Sequence, residues 1–425
     1  MMKPEVAIIH REKVTGTPAN YDDKDLGIVK KMVKEAVDEV GGFGSVIKPG
    51  DRVLIKANIC WHISPDTGVV NDPRVIESVI SLIKEETDPR EVTLAERLGM
   101  GRDTNYGFQA TGIAEIAKRA GVDRLLPLEE DARIQVVISK AKALIKPVHI
   151  PKSFLDADVI IYIPKMKTHK ICDITLNMKL TQGVFTYSET QRAHRADIEQ
   201  KFVDMLRVIK PDLSIVDAIW AMQGQGPGSP YPEDLIKDMN LIIAGKDPVA
   251  VDAVGAYIMG YDPLYEVGLI RGAHMEGLGV GDLKNIAIKG NVKPDEVRRN
   301  FRRPTCSLTG LHPKIDCYVG GACIGCMEFL RTGIEPYMIN PETLKDIEKI
   351  SFIVGFKTEV PDKLIHNPPT HYVFVVGDCT AEHKDRGIFL HGCPSSNIHM
   401  IPFIGKSEEE ILSCYRAFVP EGYSP

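Results

Sequence analysis

The chain has 425 residues, 44% of them hydrophobic and 26% charged, with a formal net charge of −6. This is the balance of a soluble globular protein with room for two or three domains, and it excludes a general nucleic-acid binder. No apolar run approaches the ~20 residues of a membrane span, and residues 1–10 read as a first strand rather than a signal peptide. Nine cysteines with no export signal argue for reduced thiols and a cytoplasmic, even anaerobic, setting.

Residues 6–10 form a short buried strand. Residues 25–40 form an amphipathic helix, with Leu26, Val29, Val33, Ala36, Val37 and Val40 near one face. Gly41-Gly42 ends it. Residues 53–59 form a strand that carries Lys56 and Asn58 on one face. Asp72-Pro73 opens a helix that runs to residue 86, with proline at its first position. Residues 91–96 form the next strand. Strands alternating with helices predict a parallel sheet flanked by helices.

The Gly99-Met100-Gly101 stretch resembles a phosphate loop but lacks the full glycine fingerprint, so a close-packed turn is expected. Residues 158–164 form a buried strand that delivers Lys165, Lys167, His169 and Lys170 at its carboxyl end. Open α/β sheets bind ligands outside those ends, so these residues predict a site for an anion, with a solvated basic loop as the plain alternative. A helix over 197–209 and a strand over 213–216 ending in Asp217 follow. The Gly-rich loop Gln223-Gly224-Gln225-Gly226-Pro227 precedes a strand at 240–244 and a helix at 249–259 flanked by Asp252 and Asp262.

A basic stretch over 291–309 reads as a linker, dividing an α/β region at 1–290 from a smaller α/β domain at 310–425. There a helix at 341–349, strands at 351–355, 372–376 and 399–403, and a closing helix at 407–418 are expected. Five thiols gather in this last part: Cys317, Cys323, Cys326, Cys379 and Cys393. The Cys323-Ile324-Gly325-Cys326 spacing can put two sulfurs on one metal, and Cys393-Pro394 is similar to the last ligand of ferredoxin runs. A 4Fe-4S cluster is the leading reading, a structural zinc site the second, and unconnected core cysteines the third. Cys60, Cys172, Cys306 and Cys414 fit the role of small buried hydrophobes.

Several stretches occur in a familiar order. They are Lys56-Ala57-Asn58, Ala157-Asp158-Val159-Ile160-Ile161, Pro164-Lys165-Met166-Lys167-Thr168-His169, Thr175-Leu176-Asn177-Met178-Lys179, Ile215-Val216-Asp217, the Gln223 to Pro227 loop, and Asp247-Pro248-Val249-Ala250-Val251-Asp252-Ala253. Together they resemble the large family catalogued as domain of unknown function number 362, over roughly residues 50 to 285. Many members of that family are labelled iron–sulfur proteins and end in a ferredoxin-like cysteine run, from which the spaced set here departs. A weaker similarity is to the nickel-pincer lactate racemase family. It would make Lys179 a cofactor or substrate-charge partner, and His169 and His194 acid/base or metal groups.

The resulting expectation is an iron–sulfur protein acting in redox or electron-transfer-linked chemistry on a small anionic substrate. Lys56, Asn58, Lys165, Lys167 and Gln223 would bind the anion. His169 or His194 would move protons, with Lys179 and Asp217 beside them. A redox protein partner and a homodimer are compatible with this; a membrane is not. The alternatives are a Lewis-acid lyase or isomerase, an electron carrier, and a zinc-stapled binding module.

Overall fold

The structure is a computed structural model that describes residues 2–99, 102–192, 194, 197–395 and 403–417. The chain divides into two compact units: Met1–Tyr187 with Glu199–Pro304, and Ser188–Ile198 with Thr305–Pro425. Both are α/β.

The first unit is built on strands β1 (Glu5–His10), β2 (Arg52–Lys56), β3 (Glu91–Glu96) and β4 (Arg124–Pro127). The hairpin of β5 (Arg133–Val136) and β6 (Val148–Pro151) stands apart from the main sheet. The unit continues with β7 (Val159–Tyr162), β8 (Lys165–His169), β9 (Asp173–Thr175), β10 (Leu213–Met222), β11 (Leu235–Ile236), β12 (Leu241–Gly245) and β13 (Ala287–Gly290). The main sheet runs β13-β1-β12-β10-β7-β2-β3-β4, with β8 and β11 joined to β10 and β9 to β8. From β10 to β4 the neighbours are parallel, and β12 is antiparallel to both β1 and β10.

Local chemistry explains the helices beside this sheet. The Asp22 side chain accepts from the Asp25 amide, and Asp25 answers the Asp22 amide, capping the helix Asp23–Asp38. The Asp72 carboxylate accepts from the Arg74 amide to cap the helix Pro73–Glu86, with Pro73 in the first turn. Val29, Met32 and Val33 of the first helix and Val75, Ile76 and Val79 of the second pack with Ala7, Ile9, Val53 and Ile55 of the strands. Burying each such side chain contributes about 1.5–3 kcal/mol.

The second unit holds a four-stranded sheet in the order β14 (Ile315–Val319), β15 (Lys349–Val354), β16 (His371–Val376) and β17 (Ile388–Leu390), with every neighbour parallel. The helix Ile324–Ile339 follows β14. Phe352, Phe374, Tyr372 and Phe403 form a run of ring contacts.

Several sequence expectations change. The basic loop after residue 164 is a strand, β8, and every residue from Lys165 to His169 is buried. Asp217 does not end its strand. It lies inside the ten-residue β10, because its charge is met there by Lys165. Asp252 is inside the helix Pro248–Ile258, not at its end. The helix expected at 341–349 is a short 3-10 turn, Pro341–Leu344, and β15 already begins at Lys349. The arginines of the basic stretch bind first-unit groups: Arg299 to Asp238, Arg302 to Asp234, and Arg303 to Glu266. The expected Met100-Gly101 turn, most of the strand at 399–403, the Cys414 side chain and residue 418 lie outside the described residues.

Candidate functional site

In the first unit the carboxyl ends of the parallel strands carry a buried polar layer. Lys56 ends β2 and Glu96 ends β3, and their side chains form an ion pair. Glu96 also accepts from the Ile59 amide at 2.7 Å and the Arg97 amide at 2.8 Å. Burial pushes the Lys56 amine down and the Glu96 carboxyl up, and the pairing opposes both shifts. Lys165 Nζ donates to both oxygens of Asp217 at 3.0 Å. Asp217 also accepts from the Asp72 amide at 2.7 Å and from Asn71 Nδ2 at 3.2 Å. Asn71 Oδ1 in turn accepts from the Asn58 amide at 2.6 Å. Arg74, wholly buried, forks onto Asp72.

Two of the anticipated anion-binding lysines, Lys56 and Lys165, are therefore already matched by carboxylates. Lys167 is different. Its Nζ donates to Val69 O at 2.5 Å and meets Cys60 Sγ at 3.3 Å. Burial lowers its pKa. Asn58 Oδ1 is buried without a hydrogen-bond partner.

Gln223 is engaged by the backbone: its Oε1 accepts from the Arg302 amide at 2.9 Å and its Nε2 donates to Glu233 O at 3.2 Å. The loop that contains it packs on β8. A Cβ on Gly226 would fall 1.8 Å from Thr168 O, and Thr168 Oγ1 donates to Gly224 O at 2.8 Å. Glycine is required there for close approach of two backbones. His169 Nδ1 accepts from the Ile171 and Cys172 amides at 3.1 and 3.4 Å, and Lys179 Nζ lies over the Phe202 ring at 5.3 Å. Asp252 binds the amides of Asn177 and Met178 and Asn177 Nδ2.

His194 belongs to the second unit, where its Nδ1 meets Thr190 O at 2.6 Å and its ring faces Phe329. This segment explains the glycine of Cys-Ile-Gly-Cys, since a Cβ on Gly325 would fall 2.0 Å from His194 O.

The second unit collects thiols at the carboxyl edge of its sheet. Cys323 caps the helix after β14, Cys326 lies in its first turn, Cys379 follows β16 and Cys393 follows β17. A Cβ on Gly377, whose φ is +90°, would lie 3.4 Å from Cys326 Sγ and 3.9 Å from Cys379 Sγ. Cys379 is in electrostatic reach of Cys323, Cys326 and Cys393. The Cys326 thiol hydrogen-bonds Cys323, which with the surrounding amides brings the Cys323 thiol down to about 5 despite burial. The same bond and burial push Cys326 up.

Cys317 stands apart on β14, with Asp316 and Arg331 as its electrostatic neighbours, and burial pushes its thiol up to about 12. Among the described residues, no three His, Cys, Asp or Glu side chains are already arranged to hold a metal ion. The donor set itself, two thiols one helical turn apart and two more from adjacent loops, suits a thiolate-bound iron–sulfur or zinc centre.

The model of the family described as domain of unknown function (DUF362) matches residues 53–257. That segment is similar to the DUF362 family. A thylakoid-associated protein of Synechocystis is 28% identical over 253 residues, covering 56% of this chain and 72% of that one. Among solved structures, a Thermotoga maritima protein matches at 12% identity and a TM-score of 0.28, covering 48% of this chain and about half, 52%, of that one. The lactate racemase apoprotein of Thermoanaerobacterium thermosaccharolyticum matches at 9% identity and a TM-score of 0.36, covering 99% of this chain and 91% of that one. The fold class itself rests on the strands and helices described above. Among the described residues, no helix is long and apolar enough to cross a membrane.

Sequence reasoning had missed Glu96, Asn71, Asp72 and Arg74 in the DUF362 segment, and had taken Cys60 for a core cysteine. Glu96 could have been found: an acid closing an apolar strand needs a partner. Asn71, Asp72 and Arg74 gave no such signal, because Asp72 already had a sufficient role as a helix cap. Cys60 is half-buried and touches Lys167, whereas Cys172 is fully buried with its thiol pushed up to about 12.

Proposed function

We propose that this protein carries an iron–sulfur cluster in its second unit, with Cys323, Cys326, Cys379 and Cys393 as ligands, and works in redox chemistry on a small anionic substrate. The observation that carries the reading is the mutual proximity of these four thiols, with Gly377 against Cys326 and Cys379 and with Cys317 having no thiol among its electrostatic neighbours. When bound, the cluster would supply one-electron transfer.

The chain's own groups have definable parts in this. Cys323, at a helix N-terminus and accepting a hydrogen bond from its partner thiol, is prepared as a thiolate, which is the form that ligates metal. Gly377 keeps the space beside Cys326 and Cys379 clear. Within the first unit, Lys167, which pairs with no carboxylate among the described residues, would supply the cationic group for an anionic substrate, and Asn58 Oδ1 would accept from a donor on it. Among the described residues eight cysteines stand outside any disulfide, which agrees with a reducing, cytoplasmic setting.

The test is iron, sulfide, zinc and nickel content, with visible and EPR spectra, on protein purified without oxygen. About four irons and four sulfides per chain are expected for the proposed cluster. One colourless zinc would replace the redox reading with a structural staple.

A further inference from the structure

Three lysines of the first unit are buried, Lys56 at the end of β2 and Lys165 and Lys167 within β8, and two own a carboxylate: Lys56 has Glu96 and Lys165 has Asp217. Among the described residues Lys167 has no such ion pair, although it is 1% exposed. An ammonium at that depth costs several kcal/mol unless it is neutralised or given a counter-charge. Among the described residues, the acidic group in contact with it is the Cys60 thiol, 3.3 Å away. If the thiol keeps its proton, the lysine faces a carbonyl and a weak acceptor. If the proton passes to the lysine, thiolate and ammonium compensate each other.

From this arrangement we infer that Cys60 and Lys167 form a nucleophilic thiol–amine pair that takes a small aldehyde or ketone. Three further observations agree. A second cation, Arg102, is in electrostatic reach of Cys60, its guanidinium stacked 5.5 Å over Trp61. Such electropositive, partly exposed surroundings are where reactive cysteines occur, and Cys60 is only half-buried. Asn58, two residues earlier and 6% exposed, keeps an unsatisfied Oδ1 that a donor on a ligand would complete.

The step balances without an oxidant or reductant. The Cys60 thiolate adds to the carbonyl carbon, forming a C–S bond. The π pair of C=O moves to oxygen, and the Lys167 ammonium gives that oxygen its proton. The product is a hemithioacetal with a neutral amine beside it, and the reverse steps release the carbonyl compound. This inference uses the first unit alone, so it survives or fails independently of any metal bound by the second.

The experiment is residue-resolved mass spectrometry of the intact reduced protein during iodoacetamide labelling, with glyoxylate as the carbonyl probe. Cys60 should label at neutral pH, faster than the fully buried Cys172. Millimolar glyoxylate should slow Cys60 labelling several-fold. Lys167→Gln should slow it about tenfold, and Lys167→Arg, which keeps the charge, should restore most of the rate. The labelling rate and the glyoxylate protection are read on the native sequence, so they decide the matter even if a variant does not fold. Absent labelling, or a rate unchanged in Lys167→Gln, overturns the pair as a nucleophile. Unchanged labelling in glyoxylate overturns the carbonyl compound as its substrate.

Discussion

Lys165 Nζ stands 3.0 Å from each carboxylate oxygen of Asp217, and neither side chain is exposed to solvent. Each ion was moved out of water at a cost that the other must offset, so removing one leaves the second stranded. Lys165→Met should therefore destabilise the protein by about 3–5 kcal/mol. Lys165→Met with Asp217→Leu should recover much of that loss. Urea midpoints of the three proteins check this. A double variant no more stable than the single one would mean that Asp217 is held chiefly by its bonds to Asn71 and Asp72 instead.

Asp252 supplies a pH dependence. Two amides and one side-chain N–H point at its carboxylate and favour the charged form, but burial outweighs them and brings it up to about 7. The folded value exceeds the unfolded 3.8, so the native state holds this proton more tightly. Its contribution is complete below about pH 4 and is lost as the pH rises toward 7, by on the order of 4 kcal/mol at most. Asp252→Asn should remove this part of the slope. Melting temperatures of both proteins at mildly acid and neutral pH test it, and parallel curves would contradict the assignment.

Gly226 is fixed by contact rather than by conformation. Any side chain there would run into the carbonyl of Thr168 in β8, a backbone atom that cannot rotate away. Gly226→Ala should cost at least about 1–3 kcal/mol, the range for overpacking. Gly121→Ala offers a contrast, since its Cβ would meet open space and only its φ of +82° opposes the change. A smaller loss for Gly121→Ala than for Gly226→Ala in thermal unfolding is the expected result.

The cysteines separate by position. Cys323→Ser or Cys379→Ser should abolish most bound metal, and Cys317→Ser should leave its content unchanged. Metal analysis of the three variants, purified alike, decides between this set and one that includes Cys317.

Much of the architecture is legible in residues 1–100. Alternating apolar runs and the Asp72-Pro73 start signal specify strands and helices through local rules, and the helix Pro73–Glu86 begins and ends where that pattern says. The order of the motifs also pointed to the family whose model matches residues 53–257. Those are properties of neighbours in sequence, and a linear reading reaches them.

Partnership across the fold is a different matter. Lys165, Lys167 and His169 look like a solvated or ligand-binding loop because nothing nearby in sequence neutralises them. The partner of Lys165 is 52 residues away, and the thiol facing Lys167 is 107 away. In the same way Cys317 lies close to Cys323 and Cys326 in sequence, yet Cys379 and Cys393, each just past the end of a later strand, are the ones that gather with that pair. The sequence determined most of the strands and helices and that cations and thiols cluster beside apolar strands. Only the tertiary structure decided which of these are already satisfied, because the low-dielectric interior makes a charge's nearest partner in space, not in sequence, set its chemistry.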